Sequence, residues 1–229
     1  MIKTVILDFD GTLADTKSII LKTLHQTIDE YGMPQPGDDE CAATIGLPLD
    51  ESFVRLLGIS RDEGLRCASI YHRLFEVNNN AGAVRMFPNV ADTIRRMHDE
   101  GLTLAIASSR GHHSLTDFVN RFGIADCFSA IVGADDVKKA KPDPEPVNII
   151  LNKLRTDADS AIVVGDTAFD ITMGRRAGAH TCGVTYGNGT RGELEQSGAG
   201  SVIDDFATLP DVIARTAQAG SASDDFPHI

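Results

Sequence analysis

The sequence predicts an α/β fold in which a doubly wound parallel sheet carries a small inserted helical domain. Short apolar runs that do not alternate with polar residues recur along the chain, and amphipathic helical patterns separate them. Such runs are typical of parallel strands that are covered by helices on both faces. The stretch from 15 to 83 breaks this alternation, because it contains helical patterns and no strand pattern. This break predicts the inserted domain.

The predicted strands of the sheet share a near-continuous run of buried-type residues. They are short, as strands in such sheets are. In chain order these runs are Thr4–Leu7, Leu102–Ala107, Ala130–Val132, Ala161–Val164 and Thr181–Val184.

Two helices of the sheet domain show clear start or stop signals. In the first, Val90, Ile94 and Met97 repeat at helical spacing, and Gly101 follows as a C-terminal glycine. The second is predicted to begin at Asp143-Pro144, as an acidic N-cap followed by proline at the first helical position. Its apolar stripe consists of Val147, Ile150, Leu151 and Leu154.

The inserted domain shows two helical stripes. Asp15 is the predicted N-cap of its first helix, and Gly32 ends that helix. The stripes consist of Ile20, Leu24, Ile28 and Tyr31, and then of Cys67, Ile70, Tyr71, Leu74 and Val77. The run from Asn78 to Gly82 is interpreted as a linker. We therefore expect a sheet domain of residues 1–14 and 84–218, a helical domain of 15–83, and a flexible tail of 219–229.

Composition and charge limit the classes of partner. The net charge of −12 predicts repulsion of nucleic acids and of anionic membranes, although a bound cation can still attract a small anion. The four cysteines form no C-x-x-C pair, which suits buried thiols in a reducing compartment. No apolar stretch approaches the length of a membrane span. These features predict a cytoplasmic protein. Its oligomeric state, as a monomer or a homodimer, stays open.

Polar residues stand where three predicted strands end. Asp8, Ser108 and Asp166 each follow an apolar run, and ligands of open α/β sheets bind at the carboxyl ends of the strands. Asp8 and Asp10 are two apart, so in extended chain their carboxylates lie on one side and repel unless a cation separates them. Asp166 and Asp170 could join that site. Hard oxygen ligands of this kind favour Mg²⁺.

Four motifs in order resemble those of the haloacid dehalogenase superfamily. Asp8-Phe9-Asp10-Gly11-Thr12-Leu13-Ala14-Asp15 resembles its first motif, and Ser108 at a strand end resembles its second. Lys141 before Pro142 resembles the third motif, and Gly165-Asp166-Thr167-Ala168-Phe169-Asp170 resembles the fourth. The resemblance covers most of the chain and implies a Rossmann-like core. The helical insert resembles the cap of the phosphoglycolate phosphatase and β-phosphoglucomutase branch.

The resemblance implies a role for each motif residue. Asp8 would be the nucleophile that forms an aspartyl-phosphate, and Asp10 would be the general acid and then the general base. Mg²⁺ would be held by Asp8, by Asp166 and by the backbone carbonyl of Asp10, with Asp170 binding the metal or its water. Lys141 and a serine would hold the phosphoryl oxygens. The predicted serine is Ser108, with Ser109 as its competitor, and the alternatives to Lys141 are Lys138 and Lys139.

Candidate specificity residues lie near the cap. The turn Ile45-Gly46-Leu47-Pro48 resembles the cap turn that faces the active site in this branch, and Gly46 allows close approach of its backbone to a ligand. Further candidates are Lys17, Arg55 and Arg110, the last as a contact for a substrate anion or as part of the site rim. His112 and His113 are interpreted as exposed residues at a helix start, with a substrate contact as the alternative.

The expected function is a Mg²⁺-dependent phosphatase that acts on a small phosphorylated metabolite, with phosphoglycolate as the substrate that the family likeness suggests. A sugar phosphomutase and an inorganic pyrophosphatase stay open as alternatives. A phospho-receiver domain is a further alternative, but it does not explain the helical insert. Asp10 disfavours a true dehalogenase, since the resembling dehalogenases lack this second acid.

Overall fold

The computed structural model describes residues 1–79 and 82–221. The strands in this part of the chain are β1 (Thr4–Leu7), β2 (Ala14–Asp15), β3 (Arg85–Met86), β4 (Thr103–Ala107), β5 (Phe128–Val132), β6 (Ala161–Gly165), β7 (His180–Val184) and β8 (Ser201–Ile203). The α-helices are α1 (Lys17–Tyr31), α2 (Asp38–Ala42), α3 (Leu49–Leu57), α4 (Arg61–Asn78), α5 (Val90–Asp99), α6 (His112–Arg121), α7 (Glu145–Leu154), α8 (Ala168–Arg176), α9 (Arg191–Gln196) and α10 (Leu209–Ser221).

Six strands form one parallel sheet with the order β5-β4-β1-β6-β7-β8. This arrangement confirms the predicted fold class, and the five predicted strands are all present. β5 begins two residues earlier than predicted, at Phe128. The sequence prediction missed the edge strand β8, which has three residues and is too short to show a pattern.

The sheet is covered on both faces, as the unbroken apolar runs predict. Val5 and Leu7 of β1 belong to one apolar cluster, whereas Ile6 belongs to the other, because neighbouring side chains of a strand point to opposite faces. The first cluster includes α5 and α6 through Ile94, Met97, Leu115 and Phe118. The second includes α7 and α8 through Val147, Ile150, Leu151 and Met173.

The four helices α1 to α4 form the insert, in which α4 packs against α1 and α3. Gly32 ends α1 in the left-handed conformation, with φ +79°, as predicted. The predicted second stripe is partly wrong, because Val77 is 74% exposed. Cys67 and Tyr71 are buried as predicted. Phe75, which the prediction missed, continues the buried face of α4, since a spacing of four residues keeps the three on one side of the helix.

The predicted start of the insert is corrected in two respects. Asp15 is not the N-cap of α1; it lies in β2, where it pairs with Arg85 of β3, and Thr16 occupies the N-cap. This short antiparallel pair joins the segment that leaves the sheet domain to the segment that returns to it. Two-residue strands have no hydrophobic period, so the sequence could not show them. The predicted linker also begins too early, because Asn78 is the last residue of α4, and residues 80 and 81 lie outside the described chain.

Two further predictions change in detail. Helix α7 begins at Glu145 and not at Pro144, which is the N-cap residue. The Asp143 carboxylate still accepts a hydrogen bond from the Glu145 backbone N–H at 3.0 Å. Helix α10 continues to Ser221, so the predicted tail overlaps a helix at 219–221, and residues 222–229 lie outside the described chain. None of the helices in the described ranges has the length and apolar character to cross a membrane.

Candidate active site

The site lies where three adjacent strands end. β1 lies between β4 and β6, so Asp8, Ser108 and Asp166, which follow these strands, come to one edge of the sheet. All three residues are buried. The order of the strands therefore brings together three residues that lie between 58 and 158 positions apart in the chain.

Three carboxylates form a buried cluster at this edge. Asp8, Asp166 and Asp170 each offer an oxygen, and these atoms lie within 4.8 Å of one another. Lys141 is also buried, and its Nζ lies 2.5 Å from Asp8 Oδ1 and 2.6 Å from Asp170 Oδ1. When all four groups are ionised, three negative charges face one positive charge.

Burial, together with the excess negative charge, perturbs the pKa values of Asp8 and Asp166. Burial raises the pKa of Asp8 well above its ordinary value, against the opposing effect of Lys141. Burial also raises the pKa of Asp166 to about 7, and the Asp170 carboxylate adds to this effect. Burial alone would lower the pKa of Lys141, but Asp170 and Asp8 outweigh it and raise the pKa. A divalent cation bound to this hard oxygen set would balance the charge, so the residues fit Mg²⁺.

Asp166 and Asp170 are held by hydrogen bonds from neighbouring groups. The backbone N–H and the side-chain amide of Asn188 donate to Asp166 Oδ2 at 2.7 and 2.9 Å, and the Thr12 hydroxyl donates to Oδ1 at 3.3 Å. Thr167 donates through its backbone N–H and its hydroxyl to Asp170 Oδ2. These contacts fix the direction in which the carboxylates present their remaining lone pairs.

Asn188 was not among the predicted site residues. It lies in the loop after β7 between two glycines, and a Cβ on Gly187 would stand only 2.4 Å from Asp166 Cβ. The Gly187-Asn188-Gly189 pattern after a predicted strand is the signal that could have indicated this close approach.

Asp10 does not belong to the carboxylate cluster, so the prediction that it joins the metal set is not supported for its side chain. Its carboxylate instead accepts two hydrogen bonds from Arg110, from Nη2 at 2.7 Å and from Nε at 3.0 Å. The Arg110 guanidinium carbon lies 4.7 Å from the ring centre of Phe75 on α4 and 5.1 Å from that of Phe118 on α6. Arg110 thus connects the sheet domain with the cap.

The two candidate serines have different contacts. The Ser108 hydroxyl accepts a hydrogen bond from the Arg110 backbone N–H at 3.2 Å. The Ser109 hydroxyl donates to the carbonyl of Gly46 at 2.7 Å, so Ser109 contacts the cap. Lys138 and Lys139 are exposed, which leaves Lys141 as the lysine that reaches the cluster.

The predicted cap turn does lie over the sheet domain. Gly46 has φ +101°, a conformation that favours glycine, and an added Cβ would lie 3.3 Å from Phe169 of the fourth motif. The other cap candidates lie elsewhere. Lys17 and Arg55 are exposed and do not line the cavity described below, so the structure gives no support to their predicted role in specificity.

The two histidines lie at the start of α6. The His112 ring contacts Asp136, with Nδ1 2.7 Å from a carboxylate oxygen, and its side chain is half-exposed. His113 is almost fully exposed but borders the cavity mouth. The interpretation as helix-start residues agrees with these positions.

A cavity of about 320 Å³ separates the cap from the sheet domain. Asp8, Asp10, Ser108, Ser109 and Arg110 line it from the sheet side. The cap contributes the Thr44–Leu49 turn region and residues of α1, α3 and α4. The volume lies at the lower end of the range of small-molecule sites, which is roughly 300–1,000 Å³.

Known proteins that resemble this chain show the family to which it belongs. The family model of haloacid dehalogenase-like hydrolases matches residues 5–184, which is most of the chain. The chain belongs to this family. A relative from Dickeya dadantii, named probable phosphatase IndB, is 32% identical over 209 residues, with 90% of each chain covered.

Further matches come from a second sequence relative and from a solved structure. The pyrophosphatase PpaX of Halalkalibacterium halodurans is 30% identical and covers 93% of this chain and 97% of its own. A haloacid dehalogenase-like hydrolase structure from Bacteroides fragilis superposes with a TM-score of 0.87 at 26% identity, covering 91% of this chain and all of its own. These matches confirm the predicted family and fold, and they support an enzyme of the phosphatase class.

Proposed function

We propose that this phosphatase hydrolyses a small phosphomonoester with the help of Mg²⁺ and through an aspartyl-phosphate on Asp8. One observation carries the proposal: Asp8 belongs both to the buried cluster with Lys141 and to the wall of the cavity. Of the three clustered carboxylates, Asp8 is therefore the one that a phosphoryl group entering from the cavity would meet, and Lys141 lies beside it.

The first step would transfer the phosphoryl group. An Asp8 oxygen forms a bond to phosphorus while the bond from phosphorus to the leaving oxygen breaks, and that oxygen takes a proton from Asp10. Asp10 also lines the cavity, two residues along the chain. Its carboxylate also accepts two hydrogen bonds from Arg110, which hold it at the cavity wall.

The second step would release phosphate. Asp10, now a carboxylate, accepts a proton from water as that water attacks phosphorus, and the bond to Asp8 breaks. Lys141 would hold the phosphoryl oxygens and Ser108 would donate a hydrogen bond to them. Bound at Asp8, Asp166 and Asp170, Mg²⁺ would offset the repulsion between carboxylates and phosphate.

The test is the variant Asp8→Asn, assayed for phosphate release from p-nitrophenyl phosphate. We expect a loss of about a thousandfold or more in kcat, because removal of a nucleophile leaves only the remaining binding groups. The thermal unfolding transition should remain cooperative, and Asp157→Asn, an exposed acid far along the chain, serves as the control. Turnover by Asp8→Asn near the level of the control would contradict the assignment.

The alternatives differ in what they do with the phosphoryl group. A phosphomutase would return it to the substrate, a pyrophosphatase would act on a phosphoanhydride, and a receiver would keep it on the aspartate. Relatives named pyrophosphatase PpaX keep the second alternative open. Release of many equivalents of phosphate per enzyme from a monoester supports the phosphatase over the mutase and the receiver.

A further inference from the structure

The cavity wall formed by the cap is mostly apolar. Ile20 and Leu24 come from α1, Leu47 from the cap turn, and Tyr71 and Phe75 from α4. The nearby hydroxyls of the cap turn are already engaged, since Thr44 donates to Cys41 and Ser52 donates to the Thr44 and Pro48 carbonyls. A group that enters the cavity therefore meets aliphatic and aromatic surface on this side. The volume of about 320 Å³ also leaves room for a leaving group larger than a two-carbon acid.

The positive charge in the cavity is already paired. Arg110 is the one lysine or arginine among the described residues that line it. Its Nε and Nη2 bind Asp10, and its Nη1 donates to Ser114 at 3.2 Å. Its side chain is only 9% exposed. A substrate anion would have to displace Asp10 to gain this guanidinium.

Apart from Arg110, the charged residues that line the cavity are acidic. Asp8 and Asp10 lie on the sheet side, and Glu76 and Asp135 lie near the mouth. His72 offers no compensating charge near neutral pH, because partial burial, with Arg110 adding to it, lowers the pKa of this ring. A second carboxylate or phosphate on the substrate would meet like charges without a free cation.

We infer that the cavity takes the leaving group of the phosphomonoester as an uncharged alcohol with an apolar face, and that it selects against leaving groups with a further anionic group. This inference rests on the proposed phosphatase function and narrows its substrate class. It places phosphoglycolate and pyrophosphate, which the names of relatives suggest, among the poor substrates of this chain.

Matched substrate pairs test the inference directly. Phenyl phosphate is compared with 4-carboxyphenyl phosphate, and 2-hydroxyethyl phosphate with phosphoglycolate, by kcat/KM in Mg²⁺ at neutral pH. We expect the uncharged member to be better by about tenfold or more in each pair. The carboxylate makes 4-carboxyphenol a slightly better leaving group than phenol, so leaving ability cannot produce this order. Equal or better turnover of the carboxylated members would overturn the inference.

A lysine introduced into the cavity wall tests whether charge causes this substrate preference. Ile20→Lys places a positive charge on the apolar wall at a half-buried position, and Ile20→Met is the uncharged control. We expect Ile20→Lys to raise the ratio of kcat/KM for 4-carboxyphenyl over phenyl phosphate about fivefold or more above the control. Leu47→Lys repeats the test from the cap turn. If neither lysine moves the ratio, charge in this cavity does not govern specificity and the inference fails.

Measurements of affinity distinguish a failure of this inference from a failure of the proposed function. In Asp8→Asn, where turnover is expected to be slower by about a thousandfold or more, calorimetry with the same phenyl pair measures affinity. Tighter binding of phenyl phosphate supports the inference even if no substrate is hydrolysed, an outcome that would defeat only the proposed function. Preference for the carboxylated ligand, with hydrolysis intact in the parent enzyme, would defeat only the inference.

Discussion

Removal of divalent cations should make the stability of this protein fall as the pH rises from 5 to 8. The reason is the carboxylate cluster of Asp8, Asp166 and Asp170, which shares a single lysine. The pKa of Asp166 is raised from 3.8 to about 7 in the folded chain. A group whose folded pKa lies above its unfolded value holds its proton more tightly when folded, so its stabilising effect is present at acid pH and is lost as the pH rises.

The magnitude follows from these two pKa values. Between pH 5 and pH 8 the unfolded carboxyl is ionised throughout, whereas the folded one changes from protonated to ionised. The free energy of unfolding should therefore fall by roughly 3 kcal/mol from Asp166, with Asp8 adding in the same direction. For a chain of 229 residues this corresponds to a decrease in Tm of about 5–10 °C.

The assay is urea unfolding in EDTA at pH 5, 6, 7 and 8, repeated in excess Mg²⁺. A cation present at a hundred times its Kd should restore roughly 3 kcal/mol at pH 8, because it binds the folded cluster only. Asp166→Asn should lose much of the pH slope, whereas the surface variant Asp157→Asn should keep it. A flat or rising stability in EDTA, together with no effect of Mg²⁺, would refute the interpretation of the cluster.

Three further predictions concern groups around the site. Arg110→Met should lower the free energy of unfolding, measured in urea, by about 3 kcal/mol, because it leaves the Asp10 carboxylate unpaired. Adding Asp10→Asn should recover part of that loss. A loss below about 1 kcal/mol for Arg110→Met would contradict the importance of this ion pair. Asn188→Ala should raise the Mg²⁺ concentration for half-maximal phosphate release about tenfold, because Asp166 loses an orienting donor, whereas the exposed Asn152→Ala should not. Gly46→Ala and Gly58→Ala should each lower the free energy of unfolding by about 1 kcal/mol, because both glycines have a positive φ. Only Gly46→Ala should also lower kcat/KM, since only its Cβ meets the sheet domain. Equal kinetics in the two variants would argue against a role of the turn.

For some residues around the site, the sequence showed the residue type but not its contact partners. Arg110 follows the second motif and was open to two interpretations, as a substrate contact or as part of the rim. The structure pairs it with Asp10, a hundred residues away, and stacks it on Phe75 from the cap. Such partners depend on how the insert folds back over the sheet, and no local spacing encodes that.

The sequence by itself determined the sheet, its two covered faces, the helical insert and the order of the motifs. These features follow from local periodicity, from the lengths of apolar runs and from residues that end strands. It did not determine the short pair β2 and β3, since two residues form no period.

Only the tertiary structure decided which side chains share the site. It brought Lys141 to Asp8 and Asp170, turned Asp10 away from them to Arg110, and added Asn188 from a loop that showed no chemical motif. It also formed a mostly apolar cavity between cap and sheet, in which the guanidinium of Arg110 is already paired. The physical reason is that charge balance and burial are properties of groups that meet in space, and residues far apart in the chain meet only after the chain has folded.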